Sequence, residues 1–225
     1  MAAILKDSLK ARYAALQAER ERSWSPAQLE GNARQRRLLA DRFDPAAIAQ
    51  AGDLLPTLSF DEVDGTEIDL DRLVSAGPAL LLFFRFAGCP ACNIALHHYA
   101  EQLYPGLRNR GIPLVALSPQ QPDRLVEIKR RHDLPFAVAT DRNNGLARQI
   151  GIAFEPDDRP SPPPPGWIGE VTGTGSWELP QPSLLLVGPG RIVQWFHVSP
   201  DWLDRPEAEE ILAAVDGAVR TSRAA

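Results

Sequence analysis

One strand that runs straight into a pair of cysteines constrains this chain more than any other feature. Residues 80–99 read LLLFFRFAGCPACNIALHHY. The apolar run Leu80 to Phe84 is broken by Arg85 and meets Gly88, where a strand can stop and turn. Cys89-Pro90-Ala91-Cys92 follows at once, and Ile94, Leu96 and Tyr99 then fit the first turns of a helix. The cysteines are therefore expected on a strand-to-helix turn.

That placement carries chemistry. The first N–H groups of a helix have no internal partner and the dipole there is positive, so a thiolate is favoured over a thiol. A free cysteine titrates at about 8.5, and helix N-termini and Cys-x-x-Cys motifs lower it by one to several units. Pro90 suits the first helical turn, because it has no N–H to leave unpaired and its φ is preset. With two residues between them the sulfurs can close a disulfide, so one thiol can attack and the other resolve. Two other readings are open: a pair of buried structural thiols, and a zinc site. The first fits poorly with a turn. The second needs four converging ligands, and only Cys89, Cys92, His97 and His98 are close in sequence, with His97 five residues beyond Cys92 and off its helical face.

The rest of the sequence narrows the function by exclusion. A length of 225 residues suits one good-sized core, or a domain with an arm. A net charge of −5 gives no basic footprint for nucleic acid, and no G-x-G-x-x-G or G-x-x-x-x-G-K-[ST] loop is present to cradle phosphate. The two cysteines are three residues apart and cannot staple distant parts of a secreted fold. MAAILKDSLKARYAALQ scatters charges among its apolar residues and lacks a signal-peptide core, and no run approaches a membrane span. These features predict a protein of the reducing cytoplasm, with no membrane and no metal or organic cofactor.

The predicted organisation is a helical arm, residues 1–50, followed by one domain, residues 51–225. Leu5, Leu9, Tyr13 and Leu16 form the stripe of one amphipathic helix, with Lys6, Lys10, Arg12, Glu19 and Arg20 around it. Ser25-Pro26 reads as an N-cap with proline at the first helical position, and Asp44-Pro45 repeats the signal. The stripe must be covered by the main domain or by a second copy of the chain; covering in cis needs no partner and is preferred, with a homodimer as the other option. Next, Leu58, Phe60 and Val63 before Asp64-Gly65 and Ile68 with Leu70 after it predict a hairpin. The cysteine helix is expected to run to about Arg110, where Gly111 ends it. Strands at Ile112–Leu117 and Phe136–Ala139 alternate with helices capped at Asp123 and spanning Asn144–Ile150, which implies parallel β-α-β units under helices on both faces. Glu155 to Ser176, with SPPPP and four glycines, is either a flap over the cysteines or a surface excursion. An antiparallel hairpin around Gly188-Pro189-Gly190 and a helix from Pro206 to Val219 close the chain.

This order of elements resembles the thioredoxin fold and, more narrowly, the peroxiredoxin-like branch of the alkyl hydroperoxide reductase/thiol-specific antioxidant (AhpC/TSA) family. The resemblance rests on Gly52-Asp53 with Pro56, on Phe84-Arg85 ahead of Gly88-Cys89-Pro90-Ala91-Cys92-Asn93, on Ala116-Leu117-Ser118-Pro119-Gln120, and on Trp177-Glu178-Leu179-Pro180 with Pro182. It implies an α/β fold, a thioredoxin-like three-layer sandwich of mixed sheet with helices on both faces and an N-terminal helical arm. It also implies catalytic Cys89 and Cys92, a substrate-binding Pro182 preceded by a cis bond, and no metal. Three departures stand out. Aligning the peroxiredoxin signature Pro-x-x-x-Thr/Ser-x-x-Cys on Cys92 puts Cys89 at the hydroxyl position and Arg85 at the proline; Phe83 stands where thioredoxins carry a buried Asp; Ala95 stands where relatives often carry Glu. Arg85 is then the candidate helper, able to stabilise a thiolate or polarise a peroxide, or else to form an ordinary salt bridge. His97 and His98 read as surface or satisfied core residues.

The resemblance implies a thiol-based oxidoreductase that reduces hydroperoxides: Cys92 attacks, Cys89 resolves, and a thiol donor such as thioredoxin or glutathione restores the dithiol. The alternative is a thioredoxin-type protein disulfide reductase, with Cys89 attacking and Cys92 releasing. A third reading, a non-enzymatic scaffold using the arm and the proline-rich loop, would be marked by thiols no more reactive to iodoacetamide than free cysteine.

Overall fold

The computed structural model describes residues 8–156 and 159–224. Its core is a seven-stranded mixed sheet. The strands are β1 (Ser59–Glu62), β2 (Glu67–Asp69), β3 (Ala79–Phe83), β4 (Leu114–Ser118), β5 (Ala137–Thr140), β8 (Ser183–Gly188) and β9 (Ile192–Val198), in the order β2-β1-β5-β4-β3-β8-β9. β6 (Ala153–Phe154) and β7 (Leu179–Pro180) pair separately. β3 lies parallel to β4, and β4 to β5; the hairpins β1/β2 and β8/β9 are antiparallel, and β8 joins β3 antiparallel. Every residue of β3, β4 and β8 is buried, which is why these strands read as unbroken apolar runs: both faces are covered.

The helices that cover it are α3 (Leu70–Leu73), α4 (Pro90–Gln102), α5 (Tyr104–Asn109), α6 (Pro122–Arg131), α7 (Gly145–Gln149), α8 (Ile168–Thr172) and α9 (Ala208–Ala224), preceded by the arm helices α1 (Leu9–Ser23) and α2 (Pro26–Asp41). Two apolar clusters result, one on each face of the sheet. The three-layer sandwich expected from the sequence is the observed architecture.

The arm packs on its own chain. Leu9 is fully buried and Tyr13 nearly so, in the same cluster as Leu96, Tyr99 and Leu103 of the cysteine-helix region. Full burial of a leucine is worth about 1.5–3 kcal/mol. The carboxylate of Glu207 accepts from the N–H groups of Leu9 and Lys10, both at 3.0 Å, satisfying orphan donors at the start of α1. Arg36 of α2 holds Asp201 through two bonds of 2.7 and 2.6 Å. Leu5, expected on the stripe, lies outside the described residues.

Four local expectations are corrected. The cysteine helix does not run unbroken to Arg110: it ends at Gln102, and Pro105 starts a new turn as α5, because proline cannot donate into the preceding turn. Asp44-Pro45 opens no helix; Asp44 closes a local turn on Ala46 (2.9 Å), and Ala49 then donates to Ile150 (3.1 Å), tying the segment to the end of α7. Helix α6 is capped at Gln121 with Pro122 at its first position, and Asp123 sits in its first turn instead. The Gln181–Pro182 bond is trans; the one cis bond among the described residues is Ser161–Pro162. Gln181 donates to Ile152 and the Pro182 carbonyl accepts from Ser199, each at 2.8 Å, so the backbone runs extended from β7 into β8 with its polar groups already used.

Candidate active site

The cysteine turn forms as its residues dictate. Cys89 is the N-cap of α4, Pro90 takes the first helical position, and Cys92 falls in the first turn. Asn93 locks the loop: its Nδ2 donates to the carbonyls of Ala87 (2.7 Å) and Cys89 (2.9 Å), while its Oδ1 meets His132 Nε2 at 2.7 Å. Gln120, just past β4, accepts from the Ala87 N–H at 2.5 Å. Both cysteines are free thiols; Cys89 is 5% exposed and Cys92 fully buried.

Arginines surround the pair. Arg205, 8% exposed, places Nη2 3.4 Å from Cys92 Sγ and is braced by an Nε bond to the Trp202 carbonyl (3.1 Å). Arg85 lies over the ring of that tryptophan: its Cζ is 4.3 Å from the Trp202 ring centroid and 5.6 Å from that of Phe154. Among the described residues Arg85 forms no ion pair, and its guanidinium is held by the two rings. Tyr13 of the arm donates its hydroxyl to the Ala91 carbonyl at 3.2 Å, and its ring lies 5.9 Å from Arg205 Cζ.

The two sulfurs are unequal. Burial pushes the Cys92 thiol up, but the bond from the Cys89 thiol, the Arg205 charge and its Nη2 donor, and the Arg85 backbone N–H together hold it well below the usual cysteine range. Cys89 moves the other way, because its proton is held against Cys92, with burial and the Cys92 charge adding to the rise. The favoured state is a Cys92 thiolate with Cys89 as its hydrogen-bond donor. Burial works to lower Arg85 and to lower Arg205, but for Arg205 its acidic neighbours, among them the cysteines and the acceptor Cys92 Sγ, overcome it and its proton is held more firmly than usual.

Pro182 is buried and lines a small void with Tyr99, Ser199 and Arg205. Its carbonyl already accepts from the Ser199 N–H. The loop after β6 docks close by: Gln120 Nε2 reaches the Val171 carbonyl at 3.5 Å, Arg124 donates to the carbonyls of Glu170 (2.8 Å) and Val171 (3.0 Å), and the rings of Trp167 and Trp177 meet in a tilted pair with centroids 4.9 Å apart. The same glutamine therefore touches both the cysteine loop and this segment. His98 is buried 3.4 Å from Glu207, and His97 sits outside, 3.5 Å from Glu101 and 5.6 Å from the His132 ring.

Sequence reasoning missed Arg205, Tyr13 and Arg20 as site residues. Arg205 has no local signal, standing alone before the last helix. Arg20 has one: it continues the stripe Leu9, Tyr13, Leu16 at the next helical interval, and a charge on an apolar stripe needs an explanation. It is only 6% exposed.

Fold and site together define a thioredoxin-like protein built around a buried dithiol. The AhpC/TSA family model matches residues 51–196, and the chain belongs to that family. It is similar to peroxiredoxin Bcp of Escherichia coli (strain K12), 22% identical over 103 residues that span 46% of this chain and 65% of Bcp. It is also similar to the thiol-disulfide oxidoreductase ResA of Bacillus thuringiensis subsp. konkukian, 26% identical over 106 residues, 46% of this chain and 58% of ResA. The chain thus spans less than two thirds of the length of these curated relatives. Among solved structures, peroxidoxin BcpB of Mycobacterium tuberculosis superposes with a TM-score of 0.56 at 19% identity over 78% of this chain and 97% of that one. A mutant of Xylella fastidiosa PrxQ gives 0.59 at 13% identity over 75% and 96%. These likenesses show the fold. Among the described residues no helix is long and apolar enough to cross a membrane, and no three metal-ligating side chains cluster.

Proposed function

We propose that this protein is a thiol peroxidase in which Cys92 is the attacking thiolate and Cys89 the resolving thiol. The observation that carries the reading is the Arg205 Nη2 to Cys92 Sγ contact of 3.4 Å inside a buried site. A guanidinium against one sulfur, with the second thiol donating to it, decides which cysteine ionises. Cys92 is also fully buried, so a small peroxide suits it better than a folded protein disulfide.

The thiolate of Cys92 attacks one peroxide oxygen, the O–O bond breaks, and the leaving alkoxide takes a proton to give an alcohol and Cys92 sulfenate. The sulfur loses two electrons and the peroxide gains them. The Cys89 thiol then attacks the Cys92 sulfur; the S–S bond forms, and the oxygen leaves as water with the thiol proton and one proton from solvent. A thiol donor such as thioredoxin or glutathione returns two electrons and two protons. Arg205 and Arg85 stabilise the attacking thiolate and the oxygen that departs. The working compartment in this reading is a reducing one, the cytoplasm. Residues 51–225 form the redoxin domain and residues 1–50 the arm; since the arm's apolar stripe is spent on its own chain, a homodimer would use another surface.

The test is stopped-flow tryptophan fluorescence of the reduced protein mixed with hydrogen peroxide. Wild type is expected to oxidise orders of magnitude faster than a free thiol, Cys92→Ser to lose the fast phase, and Cys89→Ser to keep it but halt at a sulfenic acid that dimedone traps. If Cys92→Ser consumes peroxide as fast as wild type, the assignment is wrong. The second reading, protein disulfide exchange, draws on the likeness to ResA and on Cys89 being the less buried sulfur and the helix cap. It predicts the reverse pattern, with Cys89→Ser alone losing the first step.

A further inference from the structure

The dithiol explains one positive charge and leaves two. Arg20, Arg85 and Arg205 border it from three separate segments, the arm helix α1, the residues just after β3 and the loop before α9, with Arg205 on Cys92, Arg20 on the Cys89 side and Arg85 between them. Arg85 and Arg205 grip opposite features of Trp202, its ring and its carbonyl. Arg205 and the arm meet at Tyr13, and Arg20 lies seven residues along the same helix, on the same face, with its guanidinium over Trp24 at 4.7 Å. It is close enough to Cys89 and Arg85 for each to act on its charge.

Among the described residues none of the three is paired with a carboxylate. The ion pairs nearby go elsewhere, Arg36 to Asp201 and Arg12 to Glu101. Instead, buried guanidinium nitrogens find no hydrogen-bond partner among the described residues: Nε and Nη1 of Arg20, Nε of Arg85 and Nη1 of Arg205. Arg20 and Arg205 are 6% and 8% exposed, so water does not simply bathe these groups. Leaving buried charged donors unmatched is costly, and an arginine fork matches a carboxylate in shape and charge. One Cys92 thiolate offsets one charge of three.

We propose that Arg20, Arg85 and Arg205 form a binding site for a single small carboxylate beside the dithiol, carried by the substrate, so that the preferred hydroperoxides are acidic ones. The arm is then a specificity element that supplies the third arginine, and the peroxide end of the substrate lies toward Cys92 while its carboxylate lies toward Arg20. The substrate half rests on the peroxidase reading above; the binding half does not. Because the thiolate disappears when the disulfide forms, the site loses its internal anion on oxidation. A free carboxylate must therefore bind the oxidised protein more tightly than the reduced one.

Two measurements test this. The first titrates acetate, against chloride at equal ionic strength, into reduced and oxidised protein while following tryptophan fluorescence, with Trp24 beneath Arg20 and Trp202 beneath Arg85 as reporters. A saturable, acetate-specific change is expected, tighter in the oxidised form and weakened at least about tenfold in Arg20→Gln. The absence of any saturable response in either redox state overturns the site. The second compares kcat/KM for a carboxylate-bearing alkyl hydroperoxide and its methyl ester. Wild type is expected to favour the acid about tenfold or more, mostly through KM, with Arg20→Gln losing that preference and Arg20→Lys, which keeps the charge, retaining part of it. Equal rates for acid and ester with acetate still bound overturn the substrate assignment, since the carboxylate would then come from a separate molecule such as the thiol donor. Acetate binding with hydrogen peroxide reduced only at free-thiol speed would sink the peroxidase reading and leave the site standing; the opposite pair of results would do the reverse.

Discussion

Along β3 and the residue after it, Leu80, Leu82 and Phe84 point to the face that holds the cysteines, whereas Ala79, Leu81 and Phe83 point to the face covered by Phe60, Leu70 and Ile150. The two faces differ in how they treat polar groups. The buried carboxylate at the edge of the second face, Asp141, accepts from the N–H groups of Leu146 and Ala147 at 2.9 Å each, so its burial is matched by helix-start donors. On the first face, arginine nitrogens are buried with no partner among the described residues, around two thiols that share a proton. One face spends its atoms on cohesion. The other carries unmet charge, which costs stability and is useful only if an anion, bound or formed there, meets it.

If that division holds, single changes on the two faces should separate reactivity from stability. The largest effect is expected from Cys92→Ser, which should slow oxidation by hydrogen peroxide on the order of a thousandfold or more while the folded protein persists; comparable speed in the mutant would erase the distinction between the faces. Leu81→Ala, on the inert face, should cost about 2–5 kcal/mol in a urea titration and leave the oxidation rate of the folded protein unchanged. A change in that rate would mean the faces are coupled through the strand.

Arg205→Met should slow oxidation by about a hundredfold and move the midpoint of the pH–rate profile upward, because Cys92 loses the charge and donor that favour its thiolate. An unmoved midpoint would show that Arg205 is merely a packed side chain. The same substitution should alter stability against pH in the reduced protein. A depressed Cys92 gives stability that is fully present above the unfolded value, about 8.5, and lost as pH falls through the folded one. The raised Cys89 acts oppositely: its contribution is present below about 8.5 and lost as pH climbs toward its folded value. Arg205→Met should flatten the first of these slopes. The smallest effect is expected for Tyr13→Phe, which removes one bond of 3.2 Å and should cost about 0.5–1.5 kcal/mol, read by thermal denaturation.

Much of the fold was legible because its signals are local. Strand β3, the turn at Gly88, the cap at Ser25 and the hairpin at Asp64-Gly65 each follow from neighbouring residues. The corrections fall where a distant contact overrides a local preference. Asp44-Pro45 would start a helix in isolation, but the segment is bonded to Ile150. Pro182 lies where the family resemblance would put a cis bond, but Ser199 and Ile152 hold the backbone extended on both sides of it.

The site divides along the same line. The sequence by itself determined that two thiols sit at a helix start with a proline between them, because strand, turn and helix signals are all contained in twenty residues. Only the tertiary structure decided which sulfur is the stronger acid. That choice rests on Arg205, more than a hundred residues away in sequence, on the backbone of Arg85, and on the thiol of Cys89, while the arm helix brings Tyr13 against Ala91. Electrostatic influence falls off with distance through space and ignores separation along the chain, so no reading of neighbouring residues could have supplied it.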